Sequence, residues 1–173
     1  MKVELPGTDF ASFVRARSAA LLRTAYLLTG DQHLAEDLVQ TALARTHLSW
    51  NRLYAAGNAE AYTRKIMYHH QVSWWRRRRV TEVGIEAPPD PRGTDHMDAA
   101  AMRITLLVAL RRLTPGQRAV LVLRFYEDRS ERETAEALNC SIGTVKSQTS
   151  RALARLRQTA PELAEFGLVE EVL

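Results

Sequence analysis

Residues 130–157, SERETAEALNCSIGTVKSQTSRALARLR, constrain this chain more than any other stretch. Ser130 followed three residues later by Glu133 is a capping-box pattern, in which each side chain satisfies an orphan backbone N–H at a helix start. Ala135 is small where two crossing helices come closest. Asn139 and Cys140 follow Leu138 at a bend, and asparagine is among the few residues besides glycine that tolerate a left-handed backbone. Ser141 is placed to cap a second helix. In that helix Val145, Thr149, Ala152, Leu153 and Leu156 recur with helical spacing and form one stripe to be buried. The opposite side carries Lys146, Ser147, Ser150, Arg151 and Arg155, all donors with no acid among them. A short helix, a tight turn and a longer basic helix make a helix-turn-helix, whose second helix suits a DNA major groove. Taken alone, the segment also admits a plainer reading, an ordinary helical hairpin with a solvated basic face.

Charge is segregated along the chain. Residues 1–79 hold twelve Lys/Arg against six Asp/Glu, a net of +6, and residues 99–160 hold eleven against five, again +6. Between them, residues 80–98 hold five acids and only Arg92, and residues 161–173 hold four acids and no base. Two basic blocks joined by an acidic connector imply two separate contacts with a polyanion. The distribution does not distinguish DNA, RNA or an acidic protein.

The remaining signals are helical, and no strand pattern of alternating β-branched residues appears. Over 9–28, Phe10, Val14, Leu21, Ala25 and Leu28 fall on one side. Gly30 breaks the helix and Asp31 caps the next, where Ala35, Leu38, Val39, Ala42 and Leu43 form a stripe over 32–48. Gly57 stops the chain again, and with Asn58 as cap a third helix runs from Ala59 into the arginine run, completing a three-helix bundle. Residues 80–98, with three prolines and two glycines, read as an extended linker. Asp98 caps a helix carrying Met102, Leu106, Ala109, Leu110 and Leu113. Thr114-Pro115-Gly116-Gln117 is a second capping box with proline at the first helical position. The run AVLVLRFY that follows is expected to be buried almost all round, and the residues from Pro161 onward to be loosely attached. The fold class is therefore all-α: a three-helix domain, an acidic flexible linker, and a four-helix domain ending in the helix-turn-helix.

Other function classes find little support. The five histidines show no metal-ligand spacing with a carboxylate or with Cys140, and there is neither a glycine-rich phosphate loop nor a nucleophile elbow. No cofactor, metal or enzymatic activity is expected. The single cysteine suits a reducing compartment. No run reaches the roughly 20 apolar residues of a membrane helix, and MKVELPGTDF lacks the features of a signal peptide, so a cytoplasmic protein is expected.

Taken in order, a helical domain ending in aromatics and arginines, an acidic linker and a domain ending in SIGTVKSQTSRALARLR resemble the bacterial RNA polymerase sigma factors of the extracytoplasmic-function group, in particular the SigE-like actinobacterial type. The resemblance covers about residues 9–160 and is carried by GDQHLAEDLVQTALARTHLSW and by LTPGQRAVLVLRFYEDRSERETAEALNCSIGTVKSQTSRALARLR. AYTRKIMYHHQVSWWRRRR fits less closely, since the family often has an asparagine near His69.

The resemblance implies region two over 1–79, a linker over 80–98, region four over 99–160 and an acidic tail over 161–173. It implies core RNA polymerase as partner, through the clamp helices of the largest subunit and the flap of the second largest, together with promoter DNA; an anti-sigma protein is common in the group. Asp37, Gln40 and Thr41, on the face opposite the apolar stripe of 32–48, are the implied polymerase contacts. Residues 62–79 are assigned to the minus-ten element. There Tyr62, Tyr68, Trp74 and Trp75 offer stacking surfaces for melted bases, and Arg64, Lys65 and Arg76 to Arg79 offer charge for phosphates. His69, His70 and Ser73 are expected near the pocket for a flipped base, with Arg76 and Arg77 on phosphates. Adjacent helix residues point about a hundred degrees apart, so Trp74 and Trp75 do not both face DNA. At the minus-thirty-five element the base-reading positions correspond to Lys146, Ser147, Ser150 and Arg151. Thr144 and the free N–H groups of the helix start would hold a phosphate, and Arg155 and Arg157 would touch backbone. The alternative reading is a stand-alone helix-turn-helix regulator, which leaves the Trp-Trp-Arg segment and the face around Asp37 unexplained.

Overall fold

A computed structural model describes residues 10–78 and 99–165, with side chains described for 10–73 and 101–163. The expected linker over 80–98, its Asp98 cap and the tail from 166 lie outside the described residues. The chain divides into two compact units, residues 1–71 and 72–173, the division falling inside one helix. All regular structure among the described residues is helical.

The first unit holds α1 (Phe10–Thr29), α2 (Gln32–Leu48), α3 (Trp50–Ala55) and α4 (Ala59–Arg78), the last of which runs past the division. Gly30, at φ 73°, makes the turn between α1 and α2, and the Asp31 carboxylate accepts the Leu34 N–H at 2.9 Å, as a cap should. Leu21, Ala25 and Leu28 of α1 meet Ala35, Leu38, Val39 and Ala42 of α2, with Met67 and Tyr68 of α4 buried alongside. Phe10, Val14 and Leu43 are only half-buried. The short helix α3 adds an element to the expected three. Its Leu53 is buried, and the Trp50 ring packs edge-on against Phe10 and tilted against Phe13, centroids 5.1 and 5.2 Å apart. Six residues are too few for a helical period to show in sequence.

Polar ties fix α4 against α1 and α2. The hydroxyls of Thr46 and Thr63 lie 2.8 Å apart in the interior. Arg64 donates to the Thr24 hydroxyl at 3.0 Å and pairs with Glu60 at 3.1 Å; Glu60 also holds Arg17 at 3.1 Å. Gln71 Nε2 donates to the Leu28 carbonyl at 3.3 Å.

The second unit contains α5 (Ala99–Arg111), α6 (Pro115–Leu121), a π-helical turn (Val122–Tyr126), α7 (Glu131–Leu138), α8 (Ile142–Thr159) and α9 (Glu162–Glu165). The Thr114–Gln117 box forms as expected, Pro115 included. Arg118 is almost fully buried. It donates to the carbonyls of Leu110, Arg111 and Leu113 at 2.8, 3.1 and 3.2 Å, and so satisfies the open C-terminal end of α5. Burial, and secondarily Arg111, lower its pKa to about 10, so it stays charged near neutrality.

Two expectations fail here. Ala119 to Leu123 are buried, but Phe125 and Tyr126 are 41% and 50% exposed. The π-helical turn is the reason: the Glu127 N–H bonds back five residues to the Val122 carbonyl at 2.9 Å, and the extra residue in the turn rotates both rings out of the core. Nor is the segment after Pro161 loose at its start, since Leu163 is buried and α9 packs on α5 and α8.

Candidate nucleic-acid interface

The helix-turn-helix is assembled by local chemistry that its sequence announces. Ser130 Oγ accepts the Glu133 N–H and Glu133 returns to the Ser130 N–H at 2.8 Å. The hydrogen bonds from Ser130 hold the Glu133 carboxyl below its ordinary value. At the other end of α7, Asn139 takes the left-handed conformation, φ and ψ both 52°. Its N–H reaches the Glu136 carbonyl and that of Cys140 the Ala135 carbonyl, the paired bonds of a Schellman motif. Val120, Ala135 and Val145 form the core that locks α6, α7 and α8 together, with Leu138 and Cys140 packed on it. Burial pushes the Cys140 thiol up, and it serves there as a small apolar group.

With Val145, Ala152, Leu153 and Leu156 buried, α8 turns Thr144, Lys146, Ser147, Ser150, Arg151 and Arg155 to solvent. Four of these have internal engagements the sequence did not reveal. Ser147 Oγ donates to the Thr144 carbonyl at 3.0 Å. The Thr144 N–H is not free, because Ser141 Oγ accepts it at 3.0 Å. The N–H groups of Ile142 and Gly143 remain as the helix-start donors. Arg155 Nε donates to the Arg112 carbonyl at 3.0 Å, while Arg112 reaches the Thr159 carbonyl at the same distance. This reciprocal staple joins the ends of α5 and α8. Lys146 Nζ lies 3.6 Å from Glu131 Oε2 at the start of α7.

In the first unit, Asp37 and Gln40 are exposed on α2 and Thr41 is half-buried. Neighbouring Glu36 accepts from Gln32 at 2.7 Å. On α4, Lys65 and Ser73 are exposed, while His69 and His70 are half-buried. His69 Nε2 is buried without a hydrogen-bond partner among the described residues. Trp74, Arg76 and Arg77 continue α4, but their side chains and that of Trp75 lie outside the described residues. Tyr68 is corrected from stacking candidate to core: only 2% exposed, it has no ring face left for a base. Arg64 is likewise committed to Thr24 and Glu60 rather than to phosphate. Thr63, Met67 and Gln71 recur every four residues and are buried, which puts Tyr68 beside the core stripe. Among the described residues no set of three or more His, Cys, Asp and Glu is arranged for a metal, and no helix is long and apolar enough to cross a membrane.

Comparison with known proteins accounts for both halves of this arrangement. Residues 13–81 match the family model for sigma-70 region 2, and residues 103–156 that for sigma-70 region 4. The chain is 47% identical over 150 residues to the RNA polymerase sigma-E factor of Streptomyces antibioticus, covering 87% of this chain and 83% of that one. The extracytoplasmic-function sigma factor SigL of Mycobacterium tuberculosis is 32% identical over 154 residues, covering 84% and 85% of the two chains. The sigma factor RpoE of Bartonella quintana, solved in complex with the anti-sigma factor NepR, shares the fold with a TM-score of 0.64. That match is at 25% identity and covers 88% of this chain and 96% of that one. At such identity over most of both chains, the protein belongs to the extracytoplasmic-function sigma factors, which direct RNA polymerase to promoters.

Proposed function

We propose that residues 1–79 act as region two, 80–98 as a connector and 99–160 as region four, with 161–173 an acidic tail. The exposed face of α8 carries this reading: Lys146, Ser147, Ser150, Arg151 and Arg155 face solvent with no acid among them, above the buried Val145, Ala152, Leu153 and Leu156. Lys146, Ser147, Ser150 and Arg151 read base edges of the minus-thirty-five element, and Arg151 makes the bidentate guanine contact, worth about 1–3 kcal/mol of discrimination. Thr144, with the Ile142 and Gly143 N–H groups, holds a phosphate. The Arg155 guanidinium, one nitrogen of which staples α5, offers its remaining N–H groups to the backbone.

Region two works at the minus-ten element. Lys65, Trp74, Arg76 and Arg77 bind the separated strand, and His69, His70 and Ser73 border the pocket for an extruded base, whose capture offsets a pairing cost of a few kcal/mol. Asp37, Gln40 and Thr41 dock on the clamp helices of the polymerase largest subunit, where an acid-bearing polar face suits an arginine-rich partner. Region four docks on the flap, and the exposed Phe125 and Tyr126 supply apolar surface for it. The protein acts in the cytoplasm, without catalysis of its own, and an anti-sigma protein can hold it inactive.

Transcription with purified core polymerase on a genomic fragment library, with start sites sequenced, tests this directly. Arg151→Ala should lower initiation at the cognate promoters at least tenfold, matching about 1.4 kcal/mol or more of lost contact, while binding to core polymerase is unchanged. Parental transcription by that variant would exclude Arg151 from base reading.

A further inference from the structure

Helix α7 carries three acids, and they have different partners. Glu133 is bound in the capping box with Ser130. Glu136 pairs with Arg132 on its own helix at 3.2 Å. Glu131 alone reaches across to α8, where its carboxylate stands 3.6 Å from the Lys146 ammonium. Both side chains are largely open to solvent, 64% for Lys146 and 40% for Glu131, and an exposed pair of this kind adds little to stability. The start of α7 is already capped without it. The pair therefore calls for another explanation, and its position beside the DNA-facing residues supplies one.

Phosphates offer only acceptors, so a carboxylate brought to the backbone is repelled. Base edges in the major groove offer acceptors and donors together: guanine N7 and O6 accept, and the cytosine amino group donates. A lysine–carboxylate pair is thus complementary to base edges and mismatched to phosphate. We propose that Glu131 is a specificity-determining residue: it restrains Lys146 from indiscriminate phosphate contacts and so lowers affinity for DNA that lacks the promoter sequence. The proposal rests on the assignment of α8 to DNA reading.

Full-length protein is titrated with a fluorescent random-sequence duplex over a range of salt concentrations, as parent, Glu131→Gln, Lys146→Met and the double variant. Glu131→Gln should bind this non-cognate DNA several-fold more tightly at low salt. Its log affinity should fall more steeply with log salt by about 0.9, the effect of one additional neutralised phosphate. Lys146→Met should weaken binding, and the double variant should behave like Lys146→Met, because Glu131 acts through that lysine. In transcription with core polymerase on the genomic library, Glu131→Gln should initiate from a broader set of upstream sequences. An unchanged salt slope and start-site set in Glu131→Gln, with Lys146→Met still weakened, overturns the role of Glu131 and leaves α8 as the reader. A double variant that keeps the tighter binding and steeper slope of Glu131→Gln shows that Glu131 does not act through Lys146 and overturns the proposal.

Discussion

Gly143 separates what the fold needs from what DNA needs. A Cβ added there would meet nothing closer than Ser141 Oγ at 3.7 Å, an ordinary contact. No backbone or packing demand of this chain requires glycine, which in a helix interior costs about 0.5–1 kcal/mol relative to alanine. Close approach of a phosphate to the first turn of α8 would require it. Gly143→Ala should therefore raise the melting temperature slightly yet reduce transcription from cognate promoters. Calorimetry beside a run-off assay reads the two signs, and a variant improved or unharmed in both would remove the phosphate from this position. Much at this scale was legible: Asp31, Ser130, Glu133, Asn139 and Ser141 all occupy the capping roles their types announce. What was not legible is partnership across helices. Tyr68 belongs to the core and Arg155 to a staple with Arg112, because a side chain's distant partners leave no periodic trace in sequence.

Among the elements, α7 depends on a box that responds to acid. Hydrogen bonds from the Ser130 side chain and backbone lower the Glu133 pKa below its ordinary 4.5. Its contribution to α7 is thus complete above that value and fades as pH falls through the lower, folded one. Glutamine keeps the neutral hydrogen bonds of the box but has no charge to lose. Parent and Glu133→Gln should differ in stability near neutrality, the parent being higher, and converge in acid. Thermal melts across pH follow the gap, and a constant difference would show that Glu133 ionisation is irrelevant to the box. The long helices α1, α2, α4 and α8 were readable because each presents several turns of one repeating face. Short α3, α9 and the π-helical turn were not. Two turns or fewer give no period, and the five-residue bond from Glu127 to Val122 changes the very repeat on which a burial pattern is read. Hence Phe125 and Tyr126 read as core and stand in solvent.

At the scale of the molecule, the proposed division of labour makes covalent connection decisive. Each basic block has a net of +6, enough for salt-sensitive, sequence-tolerant contact with DNA but modest as an anchor on its own. Joined on one polymerase, the second contact becomes intramolecular, and the gain in affinity reaches about 10²–10⁴ with no new interaction. Residues 80–98 hold five acids against one base, a balance that phosphate repels rather than attracts. A protease site inserted within 80–98 isolates this effect, since cutting removes the tether while leaving every residue of both blocks in place. Uncut protein should transcribe close to the parent, because effective concentration falls only as about the three-halves power of tether length. Protein cut before it meets core polymerase should lose at least a hundredfold in promoter-directed initiation at limiting concentration, and recover as the two pieces are raised together. Equal activity before and after cutting would mean that each block holds the polymerase tightly enough by itself, and that the tether contributes spacing but no affinity.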